Sequence, residues 1–318
     1  MSAPNSFPLS FNDIHIDGDK VFVTSTPTSN KFEDQGAAYI LVGKQWYGGV
    51  LSIPTISVTA HPLPLVLGIN RQVGRFSPKD SAFFYETLLE SEETDSLLLG
   101  PPSEITTIGD HAYVCGMSRS VHKCLDRNRW VRIDHDVRDT SDAIKGFRSI
   151  DGFAEDDIYA AGWGGEIWHY NGNRWRQIDS PTNVTLNKLI CAKDGKVYIA
   201  GDAGFLLVGR DESWNIYTIP HEKDDLYAVA YFKNEVYVSG TDRLYILKGN
   251  RLKPVKIQSK QPIEYGPNQA FGMLAATDEV MWCGGNKCLM FTHDGHWWEE
   301  VPNYDLPGLD EIMDDDDD

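Results

Sequence analysis

The 318-residue sequence predicts an all-β fold, and three observations carry that prediction. Short runs of β-branched and aromatic residues alternate with polar ones, and clusters of Gly, Asn and Asp separate the runs. Helical periodicity is almost absent. Above all, one phrase returns seven times: a strand that closes on a small residue. It reads KVFVTS at Ser25, LPLVLG at Gly68, AYVCG at Gly116 and IYAAG at Gly162, then VYIAG at Gly201, VYVSG at Gly240 and VMWCG at Gly284. Successive copies lie 39 to 48 residues apart, and seven units of about 42 residues account for nearly the whole chain.

Each unit has the same internal order. A first strand (FRSIDGF, NKLICA, LYAVAYF or AFGMLAA) leads to a turn rich in Asp, Glu, Asn and Gly. The recurring phrase is the second strand. A short turn and a third strand follow, such as GEIWHY, GFLLVG, RLYILK or KCLMFT. A polar turn then opens a fourth strand at Trp46, Trp130, Trp175, Trp214 or Trp298, with Leu252 in the sixth copy. Four short strands joined by tight turns make an antiparallel meander. One such sheet cannot bury both faces, but seven packed radially can, so the prediction is a seven-bladed β-propeller of four-stranded antiparallel blades. The fourth-strand tryptophans are expected to pack between blades, each contributing about 2–3 kcal/mol by burial. The middle of the ring is expected to be packing.

The wording GWGGEIWHYNGNRWRQI, from Gly162 to Ile178, resembles a bacterial propeller repeat family grouped with WD40/YVTN and BNR-like repeats and typified by VWAVGxxGxIxHYDGxxW. The resemblance is close in copies 4, 5 and 7, looser in 3 and 6, and weak in 1 and 2. It implies the fold and leaves the function open, since such repeats serve many roles. The propeller is expected over residues 1–304, with an irregular, lengthened second blade at about 58–104. An acidic tail is expected over 305–318, where eight acids stand without a Lys or Arg.

The formal charge of −18 disfavours binding to nucleic-acid phosphates and favours a basic protein partner. The N-terminus has neither a basic nor an apolar leader region, and no apolar run reaches membrane-spanning length, so a cytoplasmic protein away from membranes is expected. Cys115 with Cys124, and Cys283 with Cys288, lie on consecutive strands and read as small core residues.

Propeller topology sorts the loops into two faces. Turns joining strands two to three and four to one share the first face; the others share the second. Second-face acids such as Glu155 and Asp157 read as turn formers, as does the pair His293 and His296, so neither metal nor cofactor is expected. The candidate partner-binding residues fall on the first face. Arg71, Arg119, Trp163 and Glu166 come from the earlier blades, followed by Asp202, His221, Glu222 and Asp224, then Asp242, Arg243 and Asn286. No nucleophile elbow, phosphate loop or zinc-protease motif is present, although Glu166, Asp202 and Asp242 offer carboxylates on one face. The leading expectation is a non-enzymatic binding protein, monomeric before binding, and most concretely an immunity protein that neutralises a cognate bacterial toxin. A multi-partner scaffold and a glycan-processing enzyme are the alternatives.

Overall fold

The computed structural model describes residues 9–27, 35–60, 62–77, 79–80, 82–88, 100–139, 145–219, 224–260, 272–285 and 289–301. Within them lie seven four-stranded sheets, β1–β28, each built from four consecutive strands. All pairings within the sheets are antiparallel, as hairpin-linked strands require. The seven recurring phrases are the second strands: β2 (Lys20–Pro27), β6 (Pro64–Gly68), β10 (His111–Gly116), β14 (Asp157–Gly162), β18 (Val197–Gly201), β22 (Glu235–Ser239) and β26 (Met281–Gly284). The first strands are β1 (Leu9–Asp17), β5 (Thr55–Ala60), β9 (Pro102–Ile108), β13 (Phe147–Ala154), β17 (Leu186–Cys191), β21 (Ala228–Phe232) and β25 (Met273–Ala276). Each first strand touches the next around a closed cycle, from β1 through β25 and back to β1, so they line the axis.

Why the ring closes is visible in the core. Seven apolar clusters lie one at each blade junction. Phe22 and Val58 meet between blades 1 and 2, and Leu67 and Trp130 between 2 and 3. Val137 and Phe147 join blades 3 and 4, and Ile178 and Leu189 join 4 and 5. Tyr198 and Val229 join 5 and 6, Phe232 and Met290 join 6 and 7, and Val23 and Met273 join 7 and 1. The strand-four residues each face the preceding blade: Trp130, Trp175, Trp298 and Leu252 are buried, and Trp214 is half-buried. Trp175 also donates its indole N–H across the junction to the Ile133 carbonyl at 2.9 Å. The recurring glycine has its own reason: a Cβ at Gly162 would collide with the Gly146 carbonyl of the incoming loop.

The described part of blade 2 is four strands with no helix. Its fourth strand, β8 (Ala82–Thr87), carries no tryptophan and leaves Phe84 and Tyr85 exposed. Residues 89–99, where the lengthening is expected, lie outside the described residues, as does the acidic tail. Cys115 lies opposite Val121 rather than Cys124, and both thiols are free and buried. Cys288 lies outside the described residues. No helix among the described residues is long and apolar enough to cross a membrane.

The middle of the ring corrects the expectation of plain packing. Charged side chains on the first strands fasten one blade to the next. Asp13 accepts hydrogen bonds from the Ser57 hydroxyl at 2.6 Å and the Val58 amide at 3.0 Å. Ser57 in turn accepts the Ile105 amide at 3.2 Å. Glu104 accepts the Ile150 amide at 2.8 Å and is ion-paired with Lys188, two blades on. Asp151 accepts the Cys191 amide, and Ser149 accepts the Leu189 amide. Neighbouring first strands diverge too much for a shared ladder, so side chains satisfy amides that a continuous sheet would have paired.

Candidate functional site

Residues near the first-face ends of all seven first strands converge on one opening of about 150 Å³. Asn12 and Asp13 come from blade 1, Ser57 from blade 2 and Glu104 from blade 3. Arg148 comes from blade 4, Lys188 from blade 5, Tyr227 and Ala228 from the start of blade 6, and Met273 from blade 7. Burial alone would depress the Lys188 ammonium, yet the Glu104 and Asp13 carboxylates beside it raise its pKa overall. Burial pushes Asp151 the other way, from 3.8 up to about 6, against the pull of the amides it accepts. Lys188 is therefore engaged.

Arg148 differs. Its guanidinium lies 5.1 Å from the centre of the Trp163 ring, in cation–π range. Its buried Nε has no hydrogen-bond partner among the described residues. Burial lowers its pKa, with Asp202 and Tyr227 pulling back. A guanidinium stacked on an aromatic is a planar donor group of the kind that meets carboxylate or carbonyl oxygens through its terminal nitrogens.

The predicted residues divide into those turned inward and those left at the surface. Arg119 and Glu166 form a two-pronged ion pair between blades 3 and 4 at 2.7 and 2.6 Å, with Arg119 also over the Trp168 ring. The pair is mostly buried, so its charges neutralise each other and hold the blades together. Arg71 donates to the Gly100 carbonyl at 2.9 Å, and burial lowers its pKa. Asp202 accepts the Asn187 side-chain amide at 2.8 Å. Asp224 accepts the Thr241 amide and the Tyr245 hydroxyl, both at 2.9 Å. Asp242 and Arg243 approach each other at 3.6 Å near the surface. His221, Glu222 and Asn286 lie outside the described residues. Glu166, Asp202 and Asp242 thus share a face while each is tied to a different partner.

Left-handed backbone occurs on both faces, with Asn128, Asp211, Lys233 and Asn234 in turns of the second. Arg71, Ser118, Arg119 and Ala203 hold left-handed conformations, with φ between 56 and 66°, in the turns between second and third strands. Gly164 occupies the corresponding place in blade 4 at φ 67°. Non-glycine residues accept this cost where surrounding contacts fix them.

The second-face acids do more than form turns. Glu155, in a turn of blade 4, accepts from the Asp110 amide, His111 and Lys123 of blade 3. Against the cost of burial, those two side chains bring its carboxyl down to about 2. Asp157 bonds His169 within blade 4 and Arg210 of blade 5. No group of His, Cys, Asp and Glu suited to a metal ion occurs among the described residues.

Fold and site together define a class: a seven-bladed, WD40-like β-propeller with a polar axial mouth. Among curated proteins the chain is similar to the Immune protein Tsi7 of Pseudomonas aeruginosa (strain PAO1), at 40% identity over 199 residues. That likeness spans 62% of this chain and 63% of the relative's length. Among solved structures it is similar to YCF48 bound to D1 peptide (TM-score 0.65, 13% identity, 91% of this chain and 96% of that one). It is also similar to the WD40 propeller domain of Doa1 (0.65, 12%, 91% and 95%) and to YCF48 from Cyanidioschyzon merolae (0.66, 10%, 91% and 96%). These structural likenesses establish the fold. No family model matches the chain.

Proposed function

We propose that this chain is a non-enzymatic immunity protein, cytoplasmic and monomeric until it binds, that grips a toxin through its first face. The observation that carries the reading is the 40% identity over 199 residues to a protein named for immunity. The rigid ring supports it, because inhibition by occlusion asks for a preformed surface with little ordering cost. Arg148 against Trp163 supplies an anchor of the kind that dominates interfaces, an aromatic and an arginine side by side. Arg119 and Glu166, spent on each other, shape the platform rather than contact the toxin. The first face carries mixed charges, so the overall −18 steers a basic toxin from a distance rather than clamping it at this mouth.

Deleting the gene is expected to expose the deletion strain to killing by its own parent in co-culture, with a plasmid copy restoring survival. The double variant Arg148→Gln, Trp163→Ala is expected to stay folded, with an unchanged circular-dichroism spectrum, and to lose protection. Its affinity for the toxin should drop at least about tenfold, or about 1.4 kcal/mol. Equal survival of deletion strain and parent overturns immunity; full protection by the double variant moves the site off this face. Toxin affinity should also weaken between about 50 and 500 mM salt, and a flat response refutes a basic partner.

A further inference from the structure

The seam that closes the ring is shaped unlike the other junctions. Blade 1 has strands of 9, 8, 7 and 7 residues, whereas those of blade 7 have 4, 4, 4 and 3. The longer blade overhangs the shorter one toward the second face, and a groove of about 880 Å³ runs beneath the overhang. Val21, Leu41 and Trp46 form one wall, and Trp282, Phe291 and Val301 the other. Trp282 and Phe291 stack at 4.9 Å, which fixes the floor. Among the described residues the rim is charged and mostly acidic: Asp19, Glu279, Glu299 and Glu300 line it, with Lys44 and His293.

We propose that this groove is a second docking surface, for an extended peptide segment whose apolar side chains are flanked by Lys or Arg. The volume lies in the range that encloses a drug-sized ligand or a short peptide. An apolar floor takes the central side chains, and the acidic rim pairs with bases on either side. Charge selects the occupant. Residues 302–318 follow Val301 in sequence but carry eight acids, a composition that an acidic rim disfavours as its occupant. A second copy brings another −18 and is opposed in the same way. The groove stands apart from the axial mouth, and neither assignment depends on the other.

The test uses the full chain and fluorescence anisotropy with a labelled peptide, Lys-Leu-Trp-Val-Lys, beside two controls, Glu-Leu-Trp-Val-Glu and Lys-Ser-Gly-Ser-Lys. Saturable binding of the first peptide alone is expected. The double variant Glu279→Lys, Glu299→Lys, altered only at exposed rim positions, should melt like the native chain and bind it at least tenfold more weakly. Equal binding of basic and acidic peptides overturns the proposal, as does unchanged affinity in the variant. Displacement by a synthetic peptide of residues 302–318 gives the groove to the chain's own end, and a dimer in light scattering gives it to a second copy; either result refutes the proposal. Because no toxin enters the assay, failure here leaves the immunity reading untouched.

Discussion

The junctions among blades 3, 4 and 5 and the seam between blades 7 and 1 solve one problem by different means. In the first region, buried carboxylates and hydroxyls reach across each gap: Glu104 to the Ile150 amide, Asp151 to the Cys191 amide, Ser149 to the Leu189 amide. Glu155 adds a second tie, from blade 4 to His111 and Lys123 of blade 3. At the seam, an apolar cluster around Tyr39, Trp46 and Trp282 carries the contact and leaves a groove. Among the described residues no strand is exchanged between the first and last blades. Polar fastening is directional and leaves no room for slippage; apolar packing tolerates a mismatch in strand length and can keep an opening.

Removing the fastening should break this contrast most severely. Glu104→Ala leaves Lys188 and the Ile150 amide without their acceptor in a largely buried site. A loss of about 3–5 kcal/mol in urea unfolding is expected. A loss below about 1 kcal/mol would mean that packing alone holds these blades.

Asp151 sharpens the contrast through pH. Its carboxyl titrates near 6 in the fold and near 3.8 when free, so the folded state binds the proton more tightly. Its contribution is therefore greatest at low pH and is lost as pH rises toward and through 6. Relative to the native chain, Asp151→Asn should gain about 2–3 kcal/mol between about pH 4 and pH 7. A difference that ignores pH contradicts the burial described here.

Glu155 carries the opposite sign. Its carboxyl is held near 2, so its stabilisation is present above about pH 4.5 and fades as pH falls toward 2. Allowing for its partial exposure, Glu155→Gln should cost about 1–2 kcal/mol at pH 7, and urea midpoints should converge with the native chain in acid. At the seam the smallest effect is expected. Glu299→Lys, on the exposed rim, should shift stability by less than about 0.5 kcal/mol, and a larger loss would show the rim to be structural.

The fold was legible because its signals are local and repeated. The seven anchor phrases coincide with β2, β6, β10, β14, β18, β22 and β26, and the tryptophans open the fourth strands as read. The loop sorting also placed Trp163, Glu166 and Asp202 at turns of the first face. What escaped was the axis. Asp13, Glu104, Arg148 and Lys188 each look like one solvated charge in an alternating strand, and their meeting depends on seven strands converging at a point. A usable signal did exist: the first strands of copies 1, 3, 4 and 5 each carry a charged residue. The seam groove was equally hidden, since it arises from a length difference between the first and last units rather than from any motif.

Contiguous blades also bear on how such a ring changes in evolution. Where the terminal strands are interleaved, copying or deleting a unit strands a half-built sheet. In this chain each module is whole in sequence, so a genetic duplication inserts a finished sheet and only the final junction must be refitted. That joint, where the groove lies, is the natural place for ring size to have been adjusted and for new surface to have been tried.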